Sequence, residues 1–247
     1  MSIEEFIKNL TKEDLQRINE EFQKKENSKP SYKYSQITIM ELENLVEIKE
    51  NFNKEIFTDW FNNEVNLSKD IEFFLKELIT DNEALIKSYR EEDLKVNFII
   101  PLLNKVKFKS YENEFREFYE LPLKYDTESF NFNGVTDFVV SKGLKYAKKP
   151  YFFIQEFKKS KSNSDPEPQL LAELISAVEL NNWKTIKGAY LIGAHWNFII
   201  LNRFEKHKYE YFVSRSFDSM RLDDLKSIYK NLLFVKNEII EMVKRGE

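Results

Sequence analysis

The sequence predicts a mixed α/β (α+β) protein, with a central mixed sheet flanked by helices and preceded by an amino-terminal helical region. Three observations carry this expectation. The runs Gly134–Val140 and Tyr151–Lys158 are apolar on both alternating faces, as central strands covered on both sides must be. Before residue 110, and again after Gln169, apolar residues recur at helical spacing instead. Further strand-like runs follow the second helical stretch, so helices and strands interleave rather than segregate. The chain divides accordingly into a helical region, residues 1–87, and a sheet-containing domain, residues 88–247.

Taken in order, Ser2 and Glu5 fit a capping box, and Thr11 is a suitable N-cap for Lys12-Glu13-Asp14-Leu15. Residues 24–35 are polar, contain Pro30 and read as a linker or exposed turn. A helix is expected over residues 39–53, with Met40, Leu42, Leu45 and Val46 on one stripe, and Phe57, Trp60 and Phe61 follow on a short apolar segment. Ser68 caps the next helix, in which Ile71, Phe74, Leu75 and Leu78 repeat at helical spacing. Residues 79–87 lead into a helix that begins at Glu91. Strands start near Phe118; residues 119–125 alternate, and Pro122 marks an irregular edge. Asn133-Gly134 is a hairpin signal. Asp165 is an N-cap and Pro166 suits the first turn of a helix that buries Leu170, Leu171, Leu174, Ile175 and Val178. Residues 189–194 and 197–201 read as adjoining strands, 209–213 as another, and 222–243 as a closing amphipathic helix.

The two central strands each carry charge where a buried strand should be apolar. Asp137 lies on the face of Val135 and Val139. In the second run Phe152, Ile154, Glu156 and Lys158 share one face, and Tyr151, Phe153, Gln155 and Phe157 the other. A buried carboxylate is costly unless it is paired or binds a metal. Two carboxylates and a lysine on neighbouring central strands therefore point to a divalent-metal site with a cation beside it. A structural ion pair between strands is the alternative.

Asp137, followed by Glu156-Phe157-Lys158, resembles the D…(D/E)-x-K signature of the PD-(D/E)XK nucleases, with Thr136 where a Pro usually stands. Upstream, Glu91 through Ile99-Ile100-Pro101-Leu102-Leu103 is similar to the first core helix in the amino-terminal nuclease domains of type I restriction subunits, where a Glu faces the metal. Downstream, Gln169-Leu170-Leu171-Ala172-Glu173-Leu174 resembles the helix that carries a Gln after the E-x-K strand. The resemblance covers about residues 88–202. It implies a restriction-endonuclease-like core, and the order helix, three strands, helix, strand read from the pattern is the order of that core. It implies a metal-dependent endonuclease that hydrolyses phosphodiester bonds, foremost in DNA, in defence or mobile-element biology. Mg²⁺ (or Mn²⁺) would be held by Asp137, Glu156, the Phe157 backbone carbonyl and Glu91, with Lys158 and Gln169 completing the catalytic set. Mg²⁺ takes oxygen ligands, keeps several waters and is often held by one or two carboxylates, which these residues can supply. Lys158 would orient the attacking water or stabilise the pentavalent phosphate.

Each of the flanking residues also has a plainer reading. Glu91, Glu92 and Asp93 make an acidic helix start that complements the helix dipole. Gln169 fits as a polar residue of a first helical turn. From Lys142 to Lys161 the chain carries Lys142, Lys145, Lys148, Lys149, Lys158, Lys159 and Lys161, with Glu156 the only acid. This cluster flanks the expected site and either contacts phosphates or is a solvated loop; the stretch 160–164, overlapping its end, reads as a flexible polar loop that touches nucleic acid or nothing.

The net charge of −4 does not advertise nucleic-acid binding. The absence of Cys excludes disulfides and thiolate metal sites and fits a reducing cytoplasm. Met1-Ser2-Ile3-Glu4-Glu5 lacks the basic and apolar parts of a signal peptide, and no apolar run approaches the ~18 residues that span a bilayer. A cytoplasmic protein with no membrane partner is expected, and a homodimer is compatible. His195 and His207 do not make a zinc site, and Trp60, Trp183 and Trp196 read as packing residues. With no phosphate-binding loop, ATP-driven translocation is not encoded in this sequence. Two other readings remain: a nuclease-fold protein that binds nucleic acid or a protein partner without cutting, and an unrelated α/β interaction protein.

Overall fold

The computed structural model describes residues 10–26, 29–160 and 165–246. The expected capping box of Ser2 and Glu5, and the 161–164 part of the polar loop, lie outside them. Helix α1 (Lys12–Glu26) opens on Thr11, whose hydroxyl accepts from the Asp14 amide at 3.1 Å. Where the sequence predicts a linker, Ser31–Lys33 forms strand β1, followed by a 3-10 turn, Tyr34–Gln36. Helix α2 (Ile39–Leu45), opened by the Thr38–Glu41 capping box, stops well short of residue 53. Val46 is already extended, and strand β2 (Glu47–Glu50) pairs in parallel with Lys208–Tyr211. A free sheet edge satisfies those backbone groups, which overrides a short helical pattern.

Helix α3 (Thr58–Phe61) and helix α4 (Lys69–Asn82), capped by Ser68 as predicted, follow. A continuous helical stretch then runs from α5 (Glu91–Leu94) through a π-helical turn (Lys95–Ile99) into α6 (Ile100–Val106). Pro101 explains the widened turn. It has no N–H to give the Asn97 carbonyl, so the Ile100 amide reaches back to Lys95 and the Asn82 side chain donates to Asn97 at 3.4 Å. The remaining elements are β3 (Phe115–Asp126), β4 (Asn131–Lys142), β5 (Lys148–Lys158), α7 (Pro166–Asn181), β6 (Thr185–Ile192), β7 (His195–Glu205), β8 (Lys208–Val213), β9 (Phe217–Asp218) and α8 (Leu222–Arg245).

The described strands form one curled, mixed sheet in the order β1-β4-β5-β6-β7-β8-β2, with β3 also on β4 and β9 on β7. Pairs β1–β4, β5–β6 and β8–β2 are parallel and the others antiparallel. Helices α3 to α6 and α8 cover one face over Phe138, Phe153, Phe157, Leu191 and Phe198. Helices α2 and α7 cover the other over Val139, Ile154, Tyr190 and Ile199. Burial of the central strands on both faces is as predicted, with one inversion. Val140 pairs Phe153 while Ser141 pairs Tyr151, so Phe152 is an extra residue on β5. This bulge turns Phe152 to the Phe153 side and Tyr151 to the Ile154 side, opposite to simple alternation.

Asn133-Gly134 is not a hairpin turn but lies inside β4. The chain reverses earlier, where the Thr127 hydroxyl accepts from the Phe130 amide at 2.9 Å and donates to its carbonyl at 2.7 Å. Gly134 instead admits the buried Tyr34 ring: a Cβ there would lie 2.8 Å from Tyr34 Cδ2. Among the described residues no helix is long and apolar enough to cross a membrane.

Candidate active site

The site forms where the sheet is incomplete. Strand β3 pairs with one edge of β4 over its whole length, from Phe115 opposite Lys142 to Asp126 opposite Asn131. The other edge is divided between β1, which takes residues 131–133, and β5, which takes residues 138–142. Side chains replace the ladder in the interval. The Asp137 amide donates to Glu156 Oε1 at 3.1 Å, and the Phe157 amide donates to Asp137 Oδ2 at 2.8 Å. Each carboxylate thus holds the other's strand. The N–H and C=O of a strand residue face the same neighbour, so the Phe157 carbonyl looks into the same opening.

Helices from both faces reach it. From α7, the Gln169 side-chain amide donates to Glu156 Oε2 at 2.7 Å and to Glu173 Oε1 at 3.2 Å. From the opposite face, Lys95 at the head of the π turn places Nζ 2.9 Å from Asp137 Oδ1. The same ammonium lies 3.7 Å from Glu91, 3.5 Å from Glu92 and 3.6 Å from Glu120. Lys158 Nζ is 3.8 Å from Glu156 and 4.0 Å from Glu91. The structure therefore brings Glu91, Asp137, Glu156, Lys158 and Gln169 into one cluster, although they come from four separate elements.

Three members of the cluster escape the sequence reading. Lys95 lies one helical turn beyond Glu91, and Glu173 one turn beyond Gln169, so the i,i+4 spacing could have found both. Glu120 has no local signal. It sits across from Asp137 on β3, between the pairs Tyr119–Phe138 and Leu121–Thr136, with its backbone at φ 50°. Lys158 is at the site, and Lys142, Lys145, Lys148 and Lys149 belong to the β4–β5 hairpin. Lys142 is five residues, or roughly 17 Å, along β4 from Asp137.

Glu156 and Glu173 are both fully buried. Burial pushes the Glu156 carboxyl well above the ordinary range, and the charges of Glu173 and Asp137 push it further. Burial likewise pushes Glu173 up to about 8, against the hydrogen bond from Gln169 that pulls it down. Two buried carboxyls that share the Gln169 amide favour the form of the pair that keeps a proton. Burial favours the neutral amine of Lys95, but Asp137 first, then Glu91 and Glu92, outweigh it and hold the ammonium more firmly than in water. Gln169 Oε1 and Glu173 Oε2 are buried without a hydrogen-bond partner.

The donor set is one of hard oxygens, which suits Mg²⁺ or Mn²⁺. Glu91, Glu120, Asp137 and Glu156 surround the ammonium groups of Lys95 and Lys158, and a divalent cation would offset the excess of carboxylate. Among the described residues no three His, Cys, Asp or Glu side chains are drawn together as a ready-made ligand cage. Lys95 bridges Asp137, Glu91 and Glu120 instead. Of the other candidates, His207 Nε2 lies 3.1 Å from the Tyr125 hydroxyl, while Trp60 and Trp196 are core residues. The fold and site define a mixed α/β protein with a carboxylate–lysine centre at a break in its sheet. The chain matches no protein-family model and no curated protein.

Proposed function

We propose that this chain is a metal-dependent nuclease with a restriction-endonuclease-like core of the PD-(D/E)XK type, hydrolysing phosphodiester bonds in DNA. The observation that supports this reading is the interrupted β4–β5 ladder, at which Asp137, Glu156 and Lys158 meet Glu91 and Gln169. When bound, Mg²⁺ or Mn²⁺ supplies Lewis acidity toward the phosphate and toward water; Asp137, Glu156, the Phe157 carbonyl and Glu91 would hold it. Gln169 fixes the Glu156 carboxylate from the α7 side. Asp137 fixes the Phe157 peptide, and with it the direction of that carbonyl. Lys158, mostly buried beside Glu156, would donate to a phosphate oxygen or to the attacking water and stabilise the charge that builds in the transition state. The hairpin lysines would meet the DNA backbone farther out. A role in defence or mobile-element biology, and a homodimer that sets one such centre against each strand, accord with this chemistry.

The test is to incubate wild type and Lys158→Ala with plasmid, single-stranded DNA and RNA, in Mg²⁺, Mn²⁺ or EDTA. Wild type should cut DNA with either metal and not in EDTA. Lys158→Ala should bind with nearly the same affinity and fail to cut, because the lysine acts on the transition state. A second reading, binding without cutting, draws on the Lys95 ammonium seated on Asp137. Salt-sensitive binding by wild type with no cutting under either metal would establish that second reading. Neither binding nor cutting would leave only the fold in common with nucleases and move the search to a partner.

A further inference from the structure

We propose that Lys95 is a built-in counter-ion that competes with the divalent cation for Asp137, and that metal binding moves its ammonium across to Glu92 and Glu120. The inference rests on the metal reading above and concerns how that site is kept closed. Lys95 is only 9% exposed, and its Nζ touches two kinds of carboxylate. Asp137, at 11% exposed, and Glu91 face the site, while Glu92 at 77% and Glu120 at 66% face solvent. An ammonium and a divalent cation cannot share Asp137 Oδ1, because like charges at contact distance in a poorly screened setting repel strongly. The exposed pair supplies a second berth without any backbone movement, and a four-carbon stem can swing between them.

Two backbone departures converge on this ammonium. The π-helical turn begins at Lys95, and such turns recur at functional sites. Glu120 is held in the left-handed region at φ 50°, an uncommon conformation for a side chain of its size. Lys95 opens the first and its ammonium lies 2.9 Å from Asp137, and Glu120 carries the second and stands 3.6 Å from the same ammonium.

The test is Mn²⁺ titration calorimetry, with melting curves in EDTA and in Mn²⁺, on wild type, Lys95→Met, Lys95→Arg, Glu120→Gln and the Lys95→Met/Glu120→Gln double variant. Lys95→Met should melt lower in EDTA, yet bind Mn²⁺ about tenfold or more tighter and gain more from it. Lys95→Arg should stay near wild type. Glu120→Gln should weaken Mn²⁺ binding in the wild-type background and change nothing once Lys95 is Met, because its effect runs through the lysine. Unchanged or weaker Mn²⁺ binding by Lys95→Met would overturn the competition. A Glu120→Gln effect that persists in the Lys95→Met background would make Glu120 a ligand and overturn the second berth. If Lys95→Met does not fold, Lys95→Gln takes its place with the same expected signs. If neither wild type nor any variant responds to Mn²⁺ or Mg²⁺, the metal reading itself fails and this proposal with it.

Discussion

Glu173→Gln should stabilise the metal-free protein at alkaline pH and flatten the pH dependence of its stability. Glu173 is fully buried, with one oxygen accepting from Gln169 and the other without a partner. Burial pushes the Glu173 carboxyl from the ordinary 4.5 up to about 8. At ~1.4 kcal/mol per tenfold change in proton affinity, charging it inside the fold costs up to about 5 kcal/mol. Between those two pH values the folded chain keeps a proton that the unfolded chain has released. Its stabilising contribution is therefore complete below pH 4.5 and is lost as pH rises through 8. Glutamine has the same shape, keeps an acceptor for Gln169 and has no charge to bury. The assay is urea unfolding in EDTA at intervals from about pH 5 to pH 9. The two proteins should be nearly equally stable at the acid end and separate by up to ~1.4 kcal/mol per pH unit as pH rises. Parallel curves, or a variant less stable than wild type at pH 8, would refute the burial argument for Glu173.

Three further outcomes are expected. Gly134→Ala should cost about 1–3 kcal/mol in urea or thermal unfolding, because its Cβ would meet the Tyr34 ring at 2.8 Å; an unchanged midpoint would mean that Tyr34 does not pack there in solution. Mn²⁺ should raise the melting temperature of wild type, and Asp137→Asn should lose most of that gain; equal shifts in the two proteins would place the ion elsewhere. Neutralising Lys145, Lys148 and Lys149 together should weaken DNA binding across sequences and flatten its salt dependence by roughly one unit of slope per lost contact. An unchanged salt slope would make that hairpin a solvated loop.

Local chemistry made several features of this protein readable from the chain alone. The caps at Thr11, Ser68 and Asp165 need only the next three residues. The two-faced strands, helix α7 and the β6–β7 hairpin follow from apolar period. Asp137, Glu156 and Lys158 stand out in the sequence because charge on an apolar strand is anomalous wherever the strand lies. What failed depended on partners distant in sequence. Ser31 pairs with Asn131, one hundred residues on, so no local pattern could announce β1. Nor could one turn residues 47–50 from helix to strand, since the edge of β8 decides it. Asn133-Gly134 carries a turn signal, but its glycine answers to Tyr34. The shared edge of β4 is likewise a property of three strands at once. Only the folded chain could set Lys95 and Glu120 against Asp137, because the field at a buried carboxylate is summed over neighbours that the sequence keeps apart.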